Sequence, residues 1–190
     1  MPVMSFVTRY NFLMIDRRRL LAPLLGVFGL VGLAAADGFN AGSTRADDIA
    51  VADHIVVRKA EHKLYLYSGE RLLGEYRISL GLNPTGQKER EHDFRTPEGR
   101  YYLARRNTRS EFFLAIQVSY PNKTDEQRAQ RHHWPAGGSI MIHGLPNSPR
   151  HPVSYYTSND WTDGCIALSN SDMVELWMRT QDNIPIDIYP

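Results

Sequence analysis

A single cysteine, Cys165, stands in 190 residues, so no intramolecular disulfide can form. In an exported protein that leaves the thiol as either an inert core group or a reactive one. Long apolar runs are missing too: the uncharged stretch Leu20 to Leu33 has 14 residues. That is short of the ~20 a membrane-crossing helix needs. Charge of one sign is scarce, with a formal net charge of +1 and no basic face or tract, which argues against a nucleic-acid partner. Repeats and low-complexity tracts are absent. The histidines His132, His133 and His151 fall in no spacing that holds a metal, and no metal or other cofactor is expected.

What is present begins with an export pattern. Arg17, Arg18 and Arg19 precede the Leu20–Leu33 stretch, and Ala34, Ala35 and Ala36 follow it, ending at Asp37. A charged segment, a short apolar core and small residues together read as a secretory signal over 1–36. Its removal lowers Lys plus Arg from 22 to 18 and Asp plus Glu from 21 to 20, a net charge near −2. Residues 37–53 are small and polar and read as a linker. Residues 54–190 are long enough for one domain with an adequate core.

That domain reads as mainly β. His54–Arg58 and Leu64–Tyr67 alternate as a hairpin, and Leu72–Leu80, Arg100–Ala104, Phe112–Ser119 and Ile184–Tyr189 continue the pattern. A short buried strand, Ile140–Ile142, ends at His143. One good helix is expected from a Ser169 cap to about Thr180, with Asp172 completing a capping pair, and a weaker one over Lys123–Arg131.

Two motifs carry chemistry. Cys165 follows Gly164 and precedes the apolar Ile166-Ala167-Leu168, while His143 ends an apolar run and is followed by Gly144. A thiol attacks carbonyls only as a thiolate, so a nucleophilic Cys165 calls for an activating group, and His143 is the best candidate. The Gly144 carbonyl is suited to orient the imidazole, and the N–H groups of Gly164 and Cys165 to hold an oxyanion. On the residues alone, a catalytic cysteine–histidine pair and a buried structural cysteine both stay open.

The order of the motifs over 54–190 resembles the L,D-transpeptidase catalytic domain (the YkuD type). Ile78-Ser79-Leu80-Gly81 leads into Asn83-Pro84-Thr85-Gly86-Gln87-Lys88, then Asp93-Phe94-Arg95-Thr96-Pro97-Glu98-Gly99, Ile142-His143-Gly144 and Thr162-Asp163-Gly164-Cys165-Ile166. The resemblance implies a β-sandwich-like fold with one or two short helices and a cysteine at the mouth of a cleft. It implies Cys165 as nucleophile, His143 as base, and Gly144 and Gly164 as backbone contributors. The implied substrate is the peptidoglycan stem peptide, cross-linked three-to-three or joined to a lipoprotein lysine, in the periplasm or cell envelope. With water as acceptor the same site is a murein hydrolase, and with its chemistry silenced it is a murein-binding domain.

Two positions depart from the family pattern. Asp163 stands where many members carry histidine, and Ala167 where many carry arginine or asparagine. Asp163, Trp161, Tyr156 and Asn170 are therefore the candidate substrate-binding residues, with Arg150 as a further possible substitute for the missing polar group. Asp160 and the Asp93–Arg95 segment read as loop structure, and Arg105, Arg106 and Arg109 as a solvated hairpin.

Overall fold

The computed structural model describes residues 50–190; the signal expected over 1–36 and most of the expected linker lie outside the described residues. Eight strands and three helices follow in order. They are β1 (His54–Arg58), β2 (Lys63–Ser68), β3 (Arg71–Arg77), β4 (Gly99–Ser110), β5 (Phe113–Val118), α1 (Lys123–Arg131), β6 (Met141–His143), α2 (Val153–Ser158), β7 (Ile166–Ala167), α3 (Asn170–Arg179) and β8 (Pro185–Tyr189). The strands join edge to edge in the order β3-β2-β1-β8-β4-β5-β6-β7. Among the described residues no helix is long and apolar enough to cross a membrane.

The period-two pattern makes this sheet fold over one core. In β1 and β2, Ile55, Val57, Leu64 and Leu66 are fully buried while their neighbours are less so. Each such side chain contributes about 1.5–3 kcal/mol by leaving water. β4 is the bend in the sheet: Gly99–Tyr102 pairs with β8, whereas Leu103–Ser110 pairs with β5. Register irregularities in β4 after Leu103 and Asn107 provide the local extra twist for that change of partner. Residues of both halves, including Ile55, Leu103, Ile116, Ile142, Ile166 and Ile186, meet in one hydrophobic cluster. The sandwich-like reading thus holds in a particular form: one continuous mixed sheet, with β1–β8 and β6–β7 parallel.

Two expectations need correcting. β4 continues past Ala104 to Ser110, and a third helix, α2, stands between the two motifs. α2 buries only Tyr156 and starts at Pro152 with no side-chain cap, so it carries neither the apolar stripe nor the capping signal that reveals a helix. α3 does carry both: Ser169 accepts a hydrogen bond from the Asp172 N–H, and Met173 and Leu176 are buried. α1 is held by a reciprocal capping box between Asn122 and Asp125.

Candidate active site

Strand register brings the two motifs together. β6 and β7 run parallel with Ile142 beside Ile166 and His143 beside Ala167. Ile142 and Ile166 point into the core and are fully buried. Side chains alternate, so His143 points to the opposite face. Stepping back along both chains places Cys165 beside Met141, and the Met141 N–H lies 3.4 Å from Sγ. Histidine and cysteine therefore share one sheet face, one strand and one two-residue step apart, and both line a cleft of about 430 Å³.

The backbone under Cys165 is possible only with glycine. Gly164 has φ +126°, and a Cβ there would lie 2.6 Å from the Arg95 carbonyl oxygen. That carbonyl belongs to a loop that Gly81 also meets closely: a Cβ there would lie 2.1 Å from the Phe94 oxygen and 3.0 Å from Gly164 Cα. Buried ion pairs stiffen the same loop. Lys88 Nζ lies 2.7 Å from Asp93 Oδ1, and Lys59 Nζ 2.7 Å from Glu98 Oε1. Asp93 further accepts from the N–H groups of Glu89, Arg90 and Arg95. These contacts give the Asp93–Arg95 segment the structural role read from the sequence. Asp160 is also structural, accepting from the Leu80 N–H and meeting His62 Nε2 at 2.9 Å.

His143 is 4 % exposed, its ring covered by Phe112 at 4.7 Å and Trp161 at 5.5 Å between centroids. Its Nδ1 lies 2.7 Å from the Gly144 carbonyl. A carbonyl only accepts, so Nδ1 carries the proton and Nε2 keeps its lone pair. Burial lowers the pKa of His143 to about 4, with the Gly144 hydrogen bond opposing. Burial likewise pushes the Cys165 thiol up, helped by the Asp163 charge and opposed by the Met141 N–H and Lys88. The sequence reading asks for a thiol whose pKa is lowered, by an imidazolium or by backbone N–H groups. Both groups instead rest neutral at pH 7, because desolvation disfavours the charged form of each.

Of the other expected residues, Trp161 and Asp163 line the cleft. Tyr156 lies behind Trp161, taking the indole Nε1–H on its carbonyl at 3.0 Å and the N–H groups of Arg150 and His151 on its hydroxyl. Asn170 Oδ1 is occupied by the Leu145 N–H at 2.8 Å. Of the substitutes for the missing group at 167, the indole N–H is engaged by the Tyr156 carbonyl, and neither Asn170 nor Arg150 lines the cleft. The oxyanion expectation also changes. The Gly164 N–H is taken by Thr162 Oγ1 at 3.1 Å, and that hydroxyl donates to the Cys165 carbonyl at 2.8 Å. The residues that sequence reasoning missed come from the β4–β5 hairpin, where Asn107, Arg109, Glu111 and Phe112 form one wall of the cleft. They carry no periodic signal, since Arg105 to Glu111 is polar throughout, as a solvated turn also is.

The L,D-transpeptidase catalytic domain model (YkuD) matches residues 52–188. The chain belongs to the L,D-transpeptidase catalytic-domain family. Within this family it is similar to the Escherichia coli (strain K12) protein named Putative L,D-transpeptidase YafK, at 27 % identity over 184 residues, covering 90 % of this chain and 67 % of that one. Among solved structures it resembles the helical cell shape determining protein Pgp2 of Campylobacter jejuni, with TM-score 0.54 and 25 % identity. That match covers 74 % of this chain and only 50 % of Pgp2. An L,D-transpeptidase of Xylanimonas cellulosilytica shares the fold at TM-score 0.50 and 14 % identity, over 74 % of this chain and 61 % of that one. The mainly β fold expected for an L,D-transpeptidase domain is thus the fold observed.

Proposed function

We propose that this L,D-transpeptidase-family domain is an exported cysteine transpeptidase acting on peptidoglycan stem peptides in the cell envelope. The observation that carries the reading is the placement of Cys165 and a neutral His143, with Nε2 unprotonated, on one face of one cleft. Sγ attacks the carbonyl of the stem diaminopimelate while its proton passes to Nε2. The tetrahedral oxyanion is held by the Cys165 N–H, since the Gly164 N–H is engaged. Collapse expels D-alanine, which takes the proton back from the imidazolium, and leaves a thioester on Cys165. An amine from a second stem, or a lipoprotein lysine, then attacks the thioester; its proton passes to Nε2 and on to the departing thiolate. Gly144 keeps the ring in the required tautomer throughout.

A second reading, murein hydrolysis with water as acceptor, is favoured by one feature. Asp163 lines the cleft two residues before the thiol, and its carboxylate can hold a water as readily as an ammonium. A murein-binding module gains no support from such an arrangement, since binding alone has no use for a neutral base beside a thiol.

Intact-mass analysis of the full-length chain with a murein tetrapeptide tests the covalent step. The expected result is a tripeptide acyl group on Cys165, absent in Cys165→Ala and formed at least ~100-fold more slowly in His143→Ala. An adduct that persists in Cys165→Ala contradicts the nucleophile, and an unchanged rate in His143→Ala contradicts the base.

A further inference from the structure

The cleft carries more charge than the acyl transfer uses. Arg109, Glu111 and Asp163 all line it and are all exposed. Several charged side chains behind the site are paired off: Lys88 with Asp93, Lys59 with Glu98, His62 with Asp160, Arg95 with Glu89. None of the three cleft charges has an ion-pair partner among the described residues. The one hydrogen bond that Arg109 makes there is through its backbone N–H, to Asn107 Oδ1 at 2.9 Å.

Their placement separates them. Asp163 adjoins the thiol in the chain. Arg109 lies near the end of β4, which closes at Ser110, and Glu111 stands in the turn that follows; the two are two residues apart in the chain and both line the cleft. They do not pair with each other within the 4.0 Å ion-pair limit. A guanidinium and a carboxylate on one cleft wall, each open to a ligand, are complementary to an α-amino acid zwitterion. The guanidinium takes the carboxylate through a bidentate fork, and the acid takes the ammonium.

We infer that Arg109 and Glu111 form a clamp for the free α-amino-acid end of a diaminopimelyl side chain. This rests on the proposed stem-peptide substrate. In diaminopimelate the acyl carbon that Cys165 attacks and this second amino-acid centre lie at opposite ends of a short methylene chain. The clamp sits on the hairpin wall of the same cleft that Cys165 lines. Its consequence is specificity: stems with a free carboxylate at this centre bind better than stems amidated there, or than lysine stems, which lack the carboxylate. The clamp supplies the anion recognition that Ala167, buried at 2 % exposure, does not.

The test uses the full-length chain with three tetrapeptides carrying free diaminopimelate, its carboxamide, or lysine. D-alanine release gives kcat and KM, and calorimetric binding to Cys165→Ala gives affinity without turnover. The expected result is a KM and a Kd about 10–100-fold lower for the free carboxylate, with kcat little changed. Arg109→Ala is expected to erase that preference by weakening only the free-carboxylate peptide, while Arg109→Lys retains part of it. A fourth peptide, free diaminopimelate N-acetylated on its side chain, tests the acid: Glu111→Gln is expected to erase the wild type's discrimination against it. Equal affinity of Cys165→Ala for all three peptides, or a preference that survives Arg109→Ala, overturns the clamp. Discriminating binding without cysteine-dependent D-alanine release keeps the clamp and overturns the transpeptidase reading. Release without discrimination does the reverse.

Discussion

Burial costs an imidazolium far more than an imidazole, and at His143 this moves the pKa from 6.5 to about 4. Between those values the unfolded chain binds a proton that the folded chain refuses. Stability from this group is therefore complete above about pH 6.5 and lost as pH falls toward 4, on the order of 3 kcal/mol in all. Denaturant melts of the wild type and His143→Gln over pH 4–7 check the sign. The wild type is expected to lose more stability on acidification, and the difference between the two isolates this group from paired acids such as Asp93 and Asp187. Parallel pH profiles contradict the buried neutral base. The thiol makes a matching statement. With its pKa raised by burial, alkylation of Cys165 is expected to climb with pH past 9, with no plateau near neutrality. A plateau near neutrality indicates a preformed thiolate–imidazolium pair instead.

At the scale of the element, the loop from Asn83 to Pro97 sets the height of the Cys165 backbone. The backbone of Phe94 and Arg95 packs directly against Gly81 and Gly164, and the Lys88–Asp93 pair, at 3 % and 9 % side-chain exposure, holds it there. Removing one partner leaves an uncompensated buried charge. Lys88→Met is expected to cost about 3–5 kcal/mol, and Lys88→Met with Asp93→Leu to recover much of it. Denaturant unfolding of the single and double variants checks both. A single-variant cost below about 1 kcal/mol contradicts the bracing role. The hairpin is the opposite kind of element. Arg105–Ser110 is polar and mostly exposed: Arg106 ties it to Asp182 and the C-terminal end of α3, its shape comes from that and from pairing with β5, and its cleft-facing Asn107 and Arg109 are open to ligand contact.

For the whole molecule, legibility followed burial. Ile55, Val57, Leu64 and Leu66 announce their strands because one face of each is in the core, and Ser169 announces α3 by its cap. Arg105-Arg106-Asn107-Thr108-Arg109-Ser110 has no apolar alternation, so the strand that walls the cleft was invisible as a strand. α2 was missed because Tyr156 alone is buried. In the site, the Cys165 and His143 motifs and the glycines beside them were readable from local spacing. That Thr162 takes the Gly164 N–H, that Asn170 serves the Leu145 backbone, and that both catalytic candidates rest neutral depend on contacts between segments distant in the chain. The pattern of open and paired charges that singles out Arg109 and Glu111 is likewise a property of the folded chain alone.

The central claim is acyl transfer from Cys165 to an amine. Its most direct test is mass spectrometry of products from the full-length chain with disaccharide-tetrapeptide muropeptides, with Cys165→Ala alongside. Cysteine-dependent dimers that have lost D-alanine are the expected products. Tripeptides without dimers, even with amine acceptor in excess, contradict the claim and assign the same cleft to hydrolysis.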